Sequence, residues 1–202
     1  MNENNTWLKS PLNSTYAESK YESELEVFRG FEEGLNAVIL NPSLILAPAA
    51  WNRSSARVFK YVWEQRRFYI DGRLNYVDVR DVAVAVARFL NHDATGERFI
   101  LNAGTITYQD FFKMVGDLFN KRPPSVKVSP GLLRMMARVE HVRSRLFGTD
   151  PLITRETARL AQASFFYDNA KVRKTLNFDF KTIDSTLNWC TQEFQKIADA
   201  KI

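Results

Sequence analysis

The sequence has little of the residues that build metal sites and disulfides. Its 202 residues include a single cysteine, Cys190, which excludes an internal disulfide and a cysteine-rich zinc site. The two histidines, His92 and His141, stand far apart in the chain, which disfavours a histidine-based metal site. We therefore expect no metal ion in the functional site.

Long apolar runs and a strong charge of one sign are absent as well. No uninterrupted apolar run approaches the roughly 20 residues of a membrane helix, and residues 1–10 are too polar for a signal peptide. Together with the lone thiol, this predicts a cytoplasmic protein that has no membrane partner. The net charge is +5, but the basic residues are scattered. The densest group consists of Arg134, Arg138, Arg143 and Arg145. On a helix these residues spread over more than one face, which favours a solvated surface over a nucleic-acid site.

Strand and helix patterns alternate along the chain. Apolar residues at a spacing of three or four predict a helix over 16–34 that ends at Gly34, and the all-apolar stretch 37–40 predicts a strand buried on both faces of a parallel sheet. Further strands are expected at 68–70, 74–77, 98–101 and 126–128. Further helices are expected at 54–65, 78–89, 107–119, 132–146, 154–163, 168–176 and 182–197. This order predicts an α/β fold with a more helical C-terminal lobe.

Tyr16 and Lys20 form the pattern that carries chemistry. Four residues apart at the start of a helix, they lie on one face, one turn apart. A nearby ammonium favours the phenolate, so such a tyrosine can give a proton to a carbonyl oxygen or take one from an alcohol. Without further context, the spacing of these two residues favours an exposed structural pair over a catalytic pair.

Four short motifs favour the catalytic interpretation of this pair over the structural one. They are Tyr-Ala-Glu-Ser-Lys at 16–20, Asn-Pro-Ser at 41–43, Asn-Tyr-Val-Asp-Val-Arg-Asp-Val-Ala at 75–83 and Tyr-Asp-Asn-Ala-Lys at 167–171. In this order, they resemble the extended branch of the short-chain dehydrogenase/reductase superfamily, in particular NAD-dependent epimerases/dehydratases and dihydroflavonol-reductase-like enzymes. The resemblance covers essentially the whole chain. It implies the C-terminal part of a Rossmann-like doubly wound parallel sheet (residues 1–105) and a smaller, mostly helical substrate lobe (residues 106–202).

The resemblance also implies roles for individual residues. Tyr16 would be the general acid/base, and Lys20 would tune it and bind the nicotinamide ribose. Asn41, Pro42 and Ser43 would lie beside the nicotinamide carboxamide. Candidates for the substrate pocket are Trp51, Arg53, Arg57 and Tyr69. The implied cofactor is NADP or NAD, and the implied substrate is a small carbonyl or alcohol compound or a nucleotide sugar.

Two carboxylates look like a catalytic pair but are better explained by structure. Asp78 and Asp81 stand at the start of the helix expected from 78, where a carboxylate can accept the free N–H groups. We therefore expect Asp78 and Asp81 to cap that helix and to anchor the lobe, not to take part in catalysis.

The sequence departs from the superfamily at the cofactor site. It contains no G-x-G-x-x-G, and none of its eight glycines precedes Gly30. The superfamily's catalytic serine or threonine has no counterpart either. The sequence thus resembles a C-terminal portion, for which we expect no activity in isolation and self-association through residues 16–34. The alternative is a non-catalytic dimerisation module derived from the same superfamily.

Overall fold

In the computed structural model, residues 1–10, 13–53, 55–129, 131 and 165–199 are described. The helices are α1 (Thr15–Glu32), α2 (Ala56–Trp63), α3 (Val79–Phe89), α4 (Tyr108–Phe119), α5 (Ala170–Leu176) and α6 (Ile183–Asp199). The strands are β1 (Val38–Pro42), β2 (Leu44–Leu46), β3 (Phe68–Ile70), β4 (Arg73–Asp78), β5 (Glu97–Leu101), β6 (Gly104–Thr107) and β7 (Val126–Val128).

The strands pair mainly in parallel. β1 runs parallel to β5 with Val38 opposite Glu97, β2 runs parallel to β4, and β3 runs parallel to β7. Only the β4–β6 pair is antiparallel among the described strands. Parallel neighbours require crossover connections, and α2, α3 and α4 supply them. The expected α/β class is therefore confirmed.

Two apolar cores hold these elements together. The larger joins β2, α2, β4, α4 and α6, and Phe59, Phe111 and Phe194 are fully buried in it. The smaller lies between the β1–β5 pair and the helices α3 and α5, around Phe99 and Val172. The larger core contains residues from both sides of position 105, where the boundary between the two domains was predicted. This boundary stays a prediction.

Helix α1 differs from the other described helices because none of its residues is buried. Ser14 Oγ accepts a hydrogen bond from Ala17 N at the N-terminus, and the chain leaves the helix through Gly34 at φ 93°. Strand β1, which follows, is only half-buried. The expectation of a strand buried on both faces was therefore wrong, because β1 has β5 as its one described strand neighbour.

Most of the other predicted elements are present within a few residues of their expected ends. Strands β2 and β6 were not predicted. β2 has three residues between two prolines, and β6 begins at Gly104, so neither gives a period-two pattern of useful length. The helices expected at 132–146 and 154–163 and the basic group at 134–145 lie outside the described residues, as does Ser54 at the start of the expected 54–65 helix.

The two carboxylates of α3 have the structural roles expected of them. Asp78 is the N-cap residue, and its Oδ1 accepts from Arg80 N at 2.8 Å. Asp81 Oδ2 accepts from Lys181 N at 2.8 Å, so it ties α3 to the segment that leads into α6. Asp81 thus anchors a distant segment, whereas Asp78 completes the cap of its own helix.

Candidate functional site

The first turns of α1 present Tyr16 and Lys20 to solvent. Ser14 starts the helix, and the four-residue spacing places both side chains on one face. Lys20 Nζ lies 5.6 Å from the centroid of the Tyr16 ring, and the Tyr16 side chain is 72% exposed. The predicted pair is therefore in mutual contact and accessible to a ligand.

The end of β1 carries a second set of polar groups. In parallel sheets, the carboxyl ends of neighbouring strands form the edge at which ligands bind. Residues 41–43 lie at this edge, because they span the carboxyl end of β1 and the residue that follows it. Ser43 N donates to Leu101 O of β5 at 3.0 Å, which fixes the chain there. Asn41 Oδ1 and Ser43 Oγ are buried and have no hydrogen-bond partner in the described part of the chain. Pro42 between them is exposed.

Glu24 links the helix to this strand end. It lies one turn beyond Lys20 on the same face of α1, and its carboxylate accepts a hydrogen bond from Asn41 Nδ2. Its other oxygen, Oε2, lies 3.4 Å from Arg98 Nη1 of β5. Sequence reasoning missed Glu24 because it is one of several glutamates between the apolar positions of α1. Its place four residues after Lys20 was the available signal.

The four pocket candidates lie in different surroundings. Trp51 stacks on Phe194 at 4.6 Å between ring centroids, and Tyr69 is only 9% exposed within the same core. Both side chains thus contribute to packing. Arg53 and Arg57 are exposed, before and within α2. The pocket role of all four stays a prediction.

An ion pair between the buried Asp78 and the partly exposed Arg80 lies at the carboxyl end of β4. Burial works to raise the pKa of Asp78, but the hydrogen bonds from Arg80 outweigh it, and the net pKa is lowered. The Arg80 guanidinium lies 4.1 Å from the ring centroid of Trp189 on α6. The neighbouring Cys190 is buried, and burial raises the pKa of its thiol to about 12, so it is not poised as a nucleophile.

The described residues contain no group of histidine, cysteine and carboxylate side chains that could hold a metal ion. None of the described helices has the length and apolar character to cross a bilayer.

Sequence and structure comparisons identify proteins that are similar to this chain. No family model matches the sequence. A putative dihydroflavonol 4-reductase from Synechocystis sp. is 26% identical over 192 residues, which are 91% of this chain and 55% of that protein. The crystal structure of gox2253 is 29% identical, covers 97% of this chain and 60% of the other, and superposes with a TM-score of 0.78. A UDP-glucuronic acid 4-epimerase from Bacillus cereus, solved in complex with NAD, is 13% identical and superposes with a TM-score of 0.69. The match covers 98% of this chain and 56% of the epimerase chain, and the two share the Rossmann-like fold.

Along nearly its whole length, the chain is similar to members of the extended short-chain dehydrogenase/reductase superfamily. The relatives and neighbours are named as reductases and epimerases, among others, and the Rossmann-like fold expected from the motifs is confirmed. The chain spans about half the length of the curated relatives it matches.

Proposed function

We propose that this extended short-chain dehydrogenase/reductase chain carries the nicotinamide-facing half of a site for hydride transfer to or from a carbonyl/alcohol carbon. The supporting observation is the pair of buried, unpartnered oxygens at the end of β1, Asn41 Oδ1 and Ser43 Oγ. A buried polar atom without a partner costs about 1–3 kcal/mol. A ligand that supplies hydrogen-bond donors removes that cost.

The residues present fit a nicotinamide cofactor, either NAD or NADP. Asn41 and Ser43 offer acceptors, and the Ser43 hydroxyl also offers a donor, to a carboxamide that needs both. Lys20 offers an ammonium to the ribose hydroxyl groups. When bound, the cofactor supplies or accepts the hydride. This sequence has no G-x-G-x-x-G. The proposal therefore assigns the contacts with the cofactor's pyrophosphate to groups other than a Gly-rich turn.

In the proposed mechanism, Tyr16 handles the proton. During reduction, its hydroxyl donates a proton to the carbonyl oxygen of the substrate. The Lys20 ammonium, 5.6 Å from the ring centroid, stabilises the phenolate that is left. In the reverse direction, the phenolate takes the proton of the alcohol. The exposure of Tyr16 leaves room for a substrate against its hydroxyl.

The proposed substrate belongs to one of two classes, small carbonyl or alcohol compounds or nucleotide sugars. The Synechocystis relative is named as a putative dihydroflavonol reductase, which favours a small carbonyl or alcohol compound. The Bacillus cereus neighbour is a UDP-glucuronic acid epimerase, which favours a nucleotide sugar. Exposed Arg53 and Arg57 suit the phosphates of the second class, while Trp51 and Tyr69 would border the pocket from the core.

A second candidate function is dimerisation without catalysis. Helix α1 buries none of its residues, and it exposes Tyr16 and Leu25. A second copy of residues 16–34 packed against the helix would remove this apolar surface from water. In the proposed enzyme the same contact makes a homo-oligomer, so self-association alone does not separate the two functions. The isolated chain is expected to lack turnover in either case.

Cofactor binding separates the two functions. NADPH added at micromolar concentration is followed by its fluorescence, with Lys20→Met as the test variant and Lys9→Met, an exposed loop lysine, as the control. The enzyme proposal expects wild type and Lys9→Met to bind alike and Lys20→Met to bind more weakly. If no protein binds NADPH while light scattering shows a dimer that Leu25→Glu dissociates, the dimerisation module is favoured and the enzyme proposal is rejected.

A further inference from the structure

Glu24 is the one glutamate of α1 that is not exposed. Its side chain is 18% exposed, whereas that of Glu26 is 67% exposed in a pair with Arg29. A carboxylate withdrawn from water needs partners, and Glu24 has two, Asn41 of β1 and Arg98 of β5. No other residue of α1 joins both strands through polar contacts in the described part of the chain.

This contact fixes which way the Asn41 amide faces. A carboxylate accepts hydrogen bonds only, so the side of the Asn41 amide that faces Glu24 must be the Nδ2 donor. Arg98 holds the carboxylate from the other side, and its guanidinium also donates to the carbonyl oxygens of Glu3 and Asn5. The planar amide then turns Oδ1 away from Glu24, where it is buried and without a partner.

We infer that Glu24 is a positioning residue that makes Asn41 Oδ1 a selective acceptor for an N–H donor of the ligand. This inference rests on the proposed function, because the donor is taken to be the amide N–H of the nicotinamide carboxamide. Without Glu24, the Asn41 amide can turn over and present Nδ2 instead. The site then no longer distinguishes a ligand that has the N–H donor from one that lacks it.

Two mononucleotide probes test the inference without the rest of the dinucleotide. The first is nicotinamide mononucleotide, and the second is its 3-acetylpyridine analogue, which keeps the carbonyl and replaces the amide nitrogen with a methyl group. Dissociation constants are measured by NMR titration of the full chain. One hydrogen bond corresponds to a preference of about three- to tenfold for the nicotinamide probe.

The variants separate positioning from a general loss of structure. Glu24→Ala is expected to reduce the preference to about one, while Glu24→Gln keeps a carbonyl acceptor for Asn41 Nδ2 and retains most of it. Glu26→Ala, on the same helix, is the matched control and retains the full preference. Asn41→Ala removes the acceptor itself, so it is expected to lose the preference for the nicotinamide probe. Circular dichroism reports whether Glu24→Ala is folded, and Asn41→Ala keeps the inference testable if it is not.

Each outcome bears on a different claim. A preference that Glu24→Ala and Asn41→Ala abolish and Glu24→Gln keeps supports the inference. Equal binding of both probes by wild type, or a preference that survives in Glu24→Ala, overturns the inference and leaves the proposed function standing. If wild type binds neither probe at millimolar concentration, the proposed function itself is rejected, and the inference is rejected with it.

Discussion

Replacement of Asp78 tests the account of how β4, α3 and α6 are held together. The carboxylate is fully buried, caps α3 through Arg80 N, and accepts from Arg80 Nε at 3.0 Å and Nη2 at 2.6 Å. Loss of an N-cap costs about 1 kcal/mol. Removal of one partner of a buried ion pair costs about 3–5 kcal/mol, but Arg80 is 33% exposed and water can partly replace Asp78. We therefore expect Asp78→Ala to lower the free energy of unfolding by about 2–4 kcal/mol.

The assay is urea denaturation at pH 7 followed by circular dichroism, with Asp71→Ala as the control. Asp71 pairs with Lys127 at 2.6 Å, but the two side chains are 72% and 54% exposed. Such a surface pair contributes little to stability because water solvates both of its charges. Asp78→Asn keeps an oxygen for the cap and loses the charge, so it should fall between wild type and Asp78→Ala. Equal losses in Asp78→Ala and Asp71→Ala would refute the reasoning.

The pH dependence of the same residue has a definite sign. Because the folded-state pKa of Asp78 is lowered, its stabilisation is present above the unfolded pKa of about 3.9 and is lost as the pH falls through the folded value. The difference in unfolding free energy between wild type and Asp78→Asn should therefore shrink as the pH is lowered from 5 towards 2. A difference that stays constant over this range would contradict the assignment of the ion pair.

Three further changes test other parts of the structure. Burial raises the folded-state pKa of Asp81, so its stability contribution falls as the pH rises from about 3.9 through the higher folded value; Asp81→Asn should remove that fall in urea titrations across this range. Phe194→Ala should cost about 3–5 kcal/mol in thermal unfolding because the ring is fully buried between Trp51 and Phe59. Asn177 ends α5 at φ 46°, so Asn177→Ala should cost about 1–2 kcal/mol and Asn177→Gly much less in the same assay.

The elements with strong local signals could be predicted from the sequence. Gly34 ends α1 at a positive φ, Asp78 caps α3, and Thr107 caps α4 by accepting from Asp110 N at 3.0 Å. Asn177 follows α5 in the left-handed conformation, which asparagine adopts more readily than most other residues with a side chain. These helix ends and caps depend on a few neighbouring residues, so the local sequence is enough to predict them.

The polar connections of the candidate site could not be predicted in the same way. The contact of Glu24 with Asn41 and Arg98 joins residues far apart in the chain, and a single helix pattern does not show which of its glutamates faces a strand. The packing of Trp51 on Phe194 depends in the same way on the distant helix α6. Tertiary packing decides such contacts, so the motif gave the positions of Tyr16 and Lys20 but not their surroundings.

The central claim is that residues 16–20 and 41–43 form a nicotinamide site. Mapping the backbone amide shifts of the labelled chain as reduced nicotinamide mononucleotide is added tests this claim most directly. The account predicts that the largest shifts fall in these two segments and that Lys20→Met weakens binding. Shifts concentrated elsewhere, for instance in the groove between α3 and α5 around Val84, Arg88 and Thr175, or no shifts at all, would contradict it.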